Sequence, residues 1–596
     1  MGLAIPCIRY EQATPIEKTK RRRVAAPQSA WHEIAVTGAS CNVSFLIEIE
    51  AFVVRKTDIS GKLVQFAWWA LATIVFALVV AIRIRLLGIP LERDEGEYAY
   101  AGQLILQGIP PYKLAYNMKF PGTYAAFAVV MSIFGQTIHA IHFGLLLVNV
   151  ATIAMIFLVG RRLIDTVTGI TAAAGYAILS VSPSVLGLAA HATNFVVLPV
   201  LGGILLLLKD QSVTAGELSQ RKQLVRLVTG GLLFGLGALM KQPGLLFIPF
   251  GAIYVVWNDL NRRLVLNRTL LRLLIFLAGA AAPFGVTCLI LWRAGVLDTF
   301  WFWTINYASQ YGSLVSVSQA QQIFLSSANE VVLTGWPIWV LAAIGVVTAL
   351  WDKRIRASIL FLVGFLIFSA LAVCPGFFFR THYFILVLPA VSLLAGAAIS
   401  KLTEILEDRL ILLKIVPLLL FAVALSVPIL LDKKIFFQVS PNQACGLIYP
   451  QNPFLESVRI GTYLREHTEP GDTIAVLGSE PETYFYSHRH SATGYIYTYG
   501  LMEPQKYAHR MQEEMIREIE NARPKYLVSV AMGYSWLRRP QSDPAIFSWA
   551  NEYMAKNYTA AGFVNIKPTE TDYFFGNVPQ TVESLKDYIL IYRRTL

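Results

Sequence analysis

From residue 63 onward the chain is written in long apolar runs separated by short polar breaks. The runs are Leu63–Leu87, Ala140–Val159, Ile170–Leu188, Phe195–Leu208, Leu227–Leu239, Leu245–Trp257, Leu270–Trp292, Thr334–Leu350, Ile359–Val373, Tyr383–Ile399 and Ile415–Leu431. Some are short or merge at their edges, but a bilayer needs roughly 20 apolar residues per helix, so the pattern predicts about 11 membrane-crossing helices. The run Pro121–Phe134 is too short to cross and is expected at the membrane interface.

After Leu431 the pattern changes. Thr473–Leu477 follows the turn Pro470-Gly471-Asp472 and reads as a strand, as do Lys525–Val530 and Tyr588–Tyr592. Tyr507, Met511, Met515 and Ile519 recur every four residues within Pro504–Ala522, which marks one face of a helix. Three regions follow: a basic tail at 1–62, expected in the cytoplasm and without a signal peptide; a helical membrane domain at 63–431, with its first outer loop at 88–139; and an extracytoplasmic α/β domain at 432–596.

Composition supports the membrane reading. Of 596 residues, 55% are hydrophobic and only 15% charged, against about 25% charged in an ordinary soluble protein. The formal charge of +12 raises the question of nucleic acid. Its distribution answers that question. With the N-terminus inside, the inner loops collect Arg161 and Arg162; Lys209, Arg221, Lys222 and Arg226; Arg262, Arg263 and Arg268; Lys353, Arg354 and Arg356; Lys401, Arg409 and Lys414. The outer loops hold few cations, so the basicity is a positive-inside bias and no nucleic-acid partner is expected. The expected place is the inner (plasma) membrane, multi-pass, with the C-terminal domain outside. Cys7, Cys41, Cys288, Cys374 and Cys445 form no CxxC pair, so neither a zinc site nor a disulfide framework is expected. No Gly-rich phosphate loop is present.

The first outer loop holds Glu92, Asp94, Glu95 and Glu97 within six residues. Asp94 as a helix N-cap with Glu97 three residues on would be a capping box. The same carboxylates could also take a proton from an acceptor hydroxyl. Lys119 reads as an interfacial anchor or as a partner for Asp94 or a phosphate. Lys241 sits between two apolar spans with almost no loop, where an ammonium needs an anionic partner. Arg380 and His382 add a cationic point at the same outer face, and His191 and Asn194 mark a short outer turn. Gly478-Ser479-Glu480-Pro481-Glu482 follows a strand, a position where a plain turn and a ligand loop both occur.

These elements resemble the GT-C membrane glycosyltransferases, and within them the protein O-mannosyltransferase and lipid A aminoarabinose transferase group. The likeness rests on Asp94-Glu95 soon after the first span, with Tyr98 following, and on Lys119-Phe120-Pro121. It continues in Gly160-Arg161-Arg162-Leu163, in Gly235 through Pro243 with Lys241, and in Arg380-Thr381-His382-Tyr383. It covers about residues 63–431. A single Pro121 stands where the aminoarabinose branch commonly has two prolines. The resemblance implies transfer of a sugar from a polyprenyl-phosphate donor to a lipid, glycan or protein acceptor at the outer face. Asp94 would be the base, with Glu95 organising its loop. Lys119, Lys241 and Arg380 would hold the donor phosphate, and Glu97, Tyr98 and His382 would line the substrate site. It implies no cofactor and no obligatory metal. A secondary transporter or lipid flippase is the rival reading, since charges and prolines such as Pro243, Pro283 and Pro389 interrupt the spans.

Overall fold

The computed structural model describes residues 61–208, 220–567, 570–576, 578 and 586–595. Apart from residues 61 and 62, the expected tail lies outside them. Seven helices among the described residues are long and apolar enough to cross a membrane. They are Gly61–Arg85, Ile138–Leu163, Arg221–Met240, Gln242–Asn261, Leu266–Arg293, Leu388–Leu406 and Leu412–Leu431. Val317–Thr334 and Trp336–Trp351 together make an eighth, bent by 101°. Many of their apolar side chains point outward: only 17% of the Leu266–Arg293 window is buried. Leu270, Leu271 and Leu274 on that helix need lipid as solvent.

Several expected spans take a different form. The run 170–188 is a helix only over Thr166–Leu179, followed by a short turn at Pro183–Val185. The run 383–399 opens as a 3-10 turn, Thr381–Leu386, before the helix Leu388–Leu406 begins. Pro121–Phe134 becomes the helix Gly122–Phe134, too short to span, with Tyr124 and Phe127 buried. Apolar content marks these segments for burial, but it does not distinguish a crossing helix from one that ends inside the protein.

The end of the first span is fixed by cations on backbone carbonyls. Arg83 donates to Gly187 O at 3.0 Å and Ser180 O at 2.9 Å, which satisfies carbonyls beyond the helix Thr166–Leu179. Arg85 donates to the carbonyls of Phe436 and Val439, where the chain leaves its last span. The loop after the first span therefore starts from a tethered point.

Beyond residue 472 a six-stranded mixed sheet forms. Its strands are β1 Thr473–Leu477, β2 His490–Ser491, β3 Tyr526–Ala531, β4 Tyr558–Ile566, β5 Thr571–Phe575 and β6 Asp587–Arg594, in the order β2-β1-β3-β6-β4-β5. β1 pairs in parallel with β2 and β3; β6 runs antiparallel to β3 and β4. The helix Ala508–Ala522 covers it through Met511, Met515 and Ile519, the face that the four-residue spacing marks.

This layer shares its core with the loop after the first span. One apolar cluster contains Leu91, Tyr98, Ala99 and Leu104 from the loop together with Ile474, Tyr484, Tyr526 and Val528 from the sheet region. The approach is closest at Gly96, where a Cβ would lie 2.5 Å from Glu482 Cβ and 2.6 Å from its amide nitrogen. Only glycine permits that helix-to-helix distance.

Candidate active site

The loop helix Arg93–Leu106 sets the site. Its N-cap is Glu92, whose Oε1 accepts from the Glu95 amide at 2.9 Å, while Glu95 Oε2 accepts from the Glu92 amide at 3.2 Å. This capping box lies two residues upstream of the expected Asp94–Glu97 pair. Glu is not a favoured cap type, so the rule that favours Asp pointed to the wrong residue. The consequence is chemical, because Asp94 does not spend its carboxylate on the backbone.

The four carboxylates divide by helix face. Glu95 is buried against the bundle, accepting from His142 Nε2 at 3.0 Å and the Ala190 amide at 2.5 Å. Burial opposes its ionisation, but His142 outweighs that and lowers its pKa. Glu97 is fully buried, and accepts from Lys119 Nζ at 2.6 Å, Asn117 Nδ2 at 2.8 Å and the Tyr124 hydroxyl at 2.5 Å. Burial raises its pKa despite Lys119. Neither residue lines the cavity beside the helix, nor does Tyr98, whose ring lies 4.6 Å beneath Lys119 Nζ. Glu95, Glu97 and Tyr98 thus stand behind the cavity wall, where they hold Lys119 and the loop. A four-residue cluster in sequence cannot show which side chains a helix turns inward.

Asp94 faces the cavity. Its Oδ1 accepts from Lys119 Nζ at 2.8 Å and from the Tyr497 hydroxyl at 3.2 Å. Burial works against its charge, but Lys119, His382, His191 and Lys241 prevail and hold the carboxyl well below the usual range. Lys119 is lifted well above the ordinary lysine range, because Asp94 and Glu97 outweigh its own burial.

The cavity measures about 560 Å³. Asp94, Lys119, Lys241, Arg380 and His382 all line it, though they are spread over almost 290 positions of sequence. Lys241 sits at the break between two spans, with Nζ 3.2 Å from His382 Nε2 and 4.2 Å above the Tyr383 ring. Among the described residues no carboxylate lies within ion-pair distance of it. His382 stacks flat on His191, centroids 4.0 Å apart and 9° between planes. Both His191 ring nitrogens are buried without a hydrogen bond among the described residues.

Asp94, His191 and His382 bring ligand atoms within 4.8 Å of one another, the spacing of a three-ligand cation site. Lys119 already stands on Asp94 Oδ1, and Lys241 Nζ lies 3.2 Å from His382 Nε2, with burial lowering the Lys241 pKa to about 7. These two side chains, with Arg380 in the same cavity, would compete with a dication for the same ligand atoms.

Sequence reasoning missed the far wall. Tyr307 and Tyr311 come from the helical segments Phe302–Tyr307 and Ala308–Gly312, and Tyr497, Tyr499 and Glu503 from beyond the last span. The alternation Tyr495, Tyr497, Tyr499 was visible, but nothing local says that it meets Asp94 some 400 residues earlier.

Residues 119–286 match the family model of dolichyl-phosphate-mannose-protein mannosyltransferases. No curated protein matches the sequence. Among solved structures, the chain is similar to ArnT from Cupriavidus metallidurans bound to undecaprenyl phosphate. The two share 14% identity with a TM-score of 0.53, over 88% of this chain and 98% of that one. The apo state of the same protein gives 16% identity and a TM-score of 0.52, over 89% and 98%.

Glu97→Gln is expected to destabilise the protein. It removes the charge that faces Lys119 and turns an amide toward hydrogen-bond donors. Breaking a buried pair from one side costs about 3–5 kcal/mol. Tyr124→Phe, which removes one donor, should cost about 1–2 kcal/mol. Thermal unfolding of the two purified variants in detergent checks the order; equal midpoints for Glu97→Gln and wild type would refute it. The chain is a multi-pass membrane protein whose fold is similar to that of ArnT from Cupriavidus metallidurans.

Proposed function

We propose that the protein transfers a hexosyl or pentosyl unit from a polyprenyl-phosphate donor to a lipid, glycan or protein acceptor at the outer face of the plasma membrane. One observation carries this reading: Asp94 and three cations, Lys119, Lys241 and Arg380, share a single cavity, and Lys241 has no carboxylate partner among the described residues. A phosphate ester supplies the missing anion. The ArnT structure similar to this one has undecaprenyl phosphate bound.

The reaction then runs as a displacement. The acceptor hydroxyl oxygen forms a bond to the anomeric carbon, and the bond from that carbon to the phosphate oxygen breaks. The electron pair leaves on polyprenyl phosphate, whose charge is met by Lys119, Lys241 and Arg380. The hydroxyl proton passes to Asp94 Oδ2, the oxygen that Lys119 does not hold. In the free protein Asp94 is too acidic to be an effective base, because Lys119 lies 2.8 Å away. A donor phosphate draws Lys119 toward itself, and Asp94 becomes more basic as that contact loosens. Glu97 keeps Lys119 in place through the exchange. In this proposal the leaving group's charge is met by side chains.

Asp94→Asn keeps the size of the side chain, and the helix is capped by Glu92 in any case. The variant should fold normally and lose about 10²–10⁴ in transfer rate. Transfer from radiolabelled polyprenyl-phosphate sugars, tried as a panel of hexoses and pentoses, measures this; full activity would remove Asp94 from the chemistry.

Lys241→Ala should weaken binding of undecaprenyl phosphate by about tenfold or more, the range for losing one charge-assisted contact, at an almost unchanged melting temperature. An unchanged affinity with a collapsed melting temperature would make Lys241 structural.

The positive-inside bias of the loop charges supports an N-terminus in the cytoplasm and a sheet layer outside. A reporter active only outside the membrane, fused after Leu596, should be active; a silent reporter in a stably expressed fusion would reverse the orientation.

A further inference from the structure

The proposed reaction leaves one carboxyl in the cavity without a task. Glu503 follows the short helix Tyr499–Met502 and lines the same cavity as Asp94. It is 8% exposed. Its Oε2 accepts from the Tyr307 hydroxyl at 2.8 Å, and Oε1 has no hydrogen bond among the described residues. Burial pushes its pKa up to about 7, against the pull of Tyr307. Oε1 is not shut off from the cavity, so a hydroxylated ligand there can reach it.

The surrounding geometry is built for close approach. Tyr307 ends a π-helical turn, Phe302–Tyr307, a rare element that concentrates at functional sites. Opposite it, Gly500 also lines the cavity, and a Cβ there would lie 2.7 Å from the Tyr307 hydroxyl. Tyr311, one turn on, lies flat against Phe378 with centroids 4.4 Å apart. Arg380 interacts with Tyr311, and its charge reaches both Glu503 and Asp94. The carboxyl therefore shares one cavity with Lys119, Lys241 and Arg380. A glycosyl ring is bonded directly to the phosphate it leaves, so its subsite has to share the cavity that holds the phosphate.

We propose that Glu503, Tyr307 and Tyr311 form a subsite that recognises a glycosyl ring by its hydroxyl groups. Ring hydroxyls donate to the Glu503 carboxylate, and the C–H face of the ring lies on the tyrosine wall. The C-terminal layer thereby takes part in reading the sugar. This rests on the glycosyltransferase reading of the cavity and deepens it. The ring can belong to the donor or to an acceptor glycan, and the experiment separates these sources.

The full-length protein in nanodiscs is titrated with undecaprenyl phosphate and with undecaprenyl-phosphate hexoses and pentoses, N-acetylated and plain. The ratio of the two affinities is the contribution of the sugar. Glu503→Gln should leave the affinity for undecaprenyl phosphate within about twofold and reduce the sugar contribution by about tenfold, the scale of one hydrogen bond to a charged group. Tyr307→Phe, which keeps the carboxyl but loses its support, should act in the same direction more weakly; it decides the matter if Glu503→Gln does not fold.

An unchanged sugar contribution with a raised acceptor KM at unchanged donor KM assigns the ring to the acceptor and also supports the subsite. No change in either quantity overturns it. So does a wild-type protein that binds undecaprenyl phosphate yet gains nothing from any sugar on the panel. A wild-type protein that does not bind undecaprenyl phosphate would instead refute the glycosyltransferase reading itself.

Discussion

Lys119 lies between two carboxylates, 2.8 Å from Asp94 and 2.6 Å from Glu97, over the ring of Tyr98. The rest of the site is arranged around this ammonium. Glu97 is locked by Asn117 and Tyr124, so the loop helix, the segment that carries Lys119 and the helix Gly122–Phe134 meet at one buried point. An apolar set of the same volume would serve stability as well or better, since ions are expensive to desolvate. The arrangement is explained by what it does to Asp94. That carboxylate is kept ionised and oriented in a cavity where burial alone would neutralise it.

The residues after 432 belong to the same construction. Arg93, next to Asp94 in the chain, donates from Nε to Ser479 O and pairs with Glu480 at 3.4 Å. Its guanidinium lies 5.4 Å from the rings of both Phe454 and Tyr499. Glu482 packs on Gly96, and Tyr497 reaches Asp94 itself. The turn after β1, which in sequence could be a plain turn or a ligand loop, is the clamp on the residue before Asp94. Residues 432–596 thus differ in composition from the bundle but share its core and its cavity.

How much of this was legible depends on the kind of signal. Ionisable groups next to apolar runs carry a large desolvation penalty, so Asp94, Lys119, Lys241, Arg380 and His382 stood out, and all five line one cavity. Long apolar runs were legible for the same reason. The facing of side chains was not: Glu95 and Glu97 differ from Asp94 only in helix phase, which depends on where the helix starts, and it starts with Glu92 as its cap. The wall made by Tyr307, Tyr497 and Glu503 was not legible at all, because an exposed tyrosine and a cavity tyrosine look alike until tertiary contacts are known. β4 and β5 were missed too. Their residues alternate weakly in hydrophobicity, and it is pairing with β6 that makes them strands.

The position of Lys119 also ties two steps of the proposed reaction together. One ammonium cannot give its full attraction to both Asp94 and a phosphate, so whatever strengthens one contact weakens the other. Linkage makes this reciprocal: if bound phosphate raises the proton affinity of Asp94, then protonation of Asp94 strengthens phosphate binding by the same factor. The consequence is an order of events. Before the donor arrives Asp94 is ionised but weakly basic, so an acceptor hydroxyl or a water molecule entering first meets a poor proton acceptor. Once the phosphate is seated, the same carboxylate gains basicity beside the anomeric carbon. After transfer, the proton on Asp94 would hold polyprenyl phosphate more tightly, until loss of that proton returns Lys119 to its carboxylate partner and loosens the product. In the proposed reaction, a buried triad that looks like structural reinforcement in the free protein would thereby couple donor binding, base strength and product release.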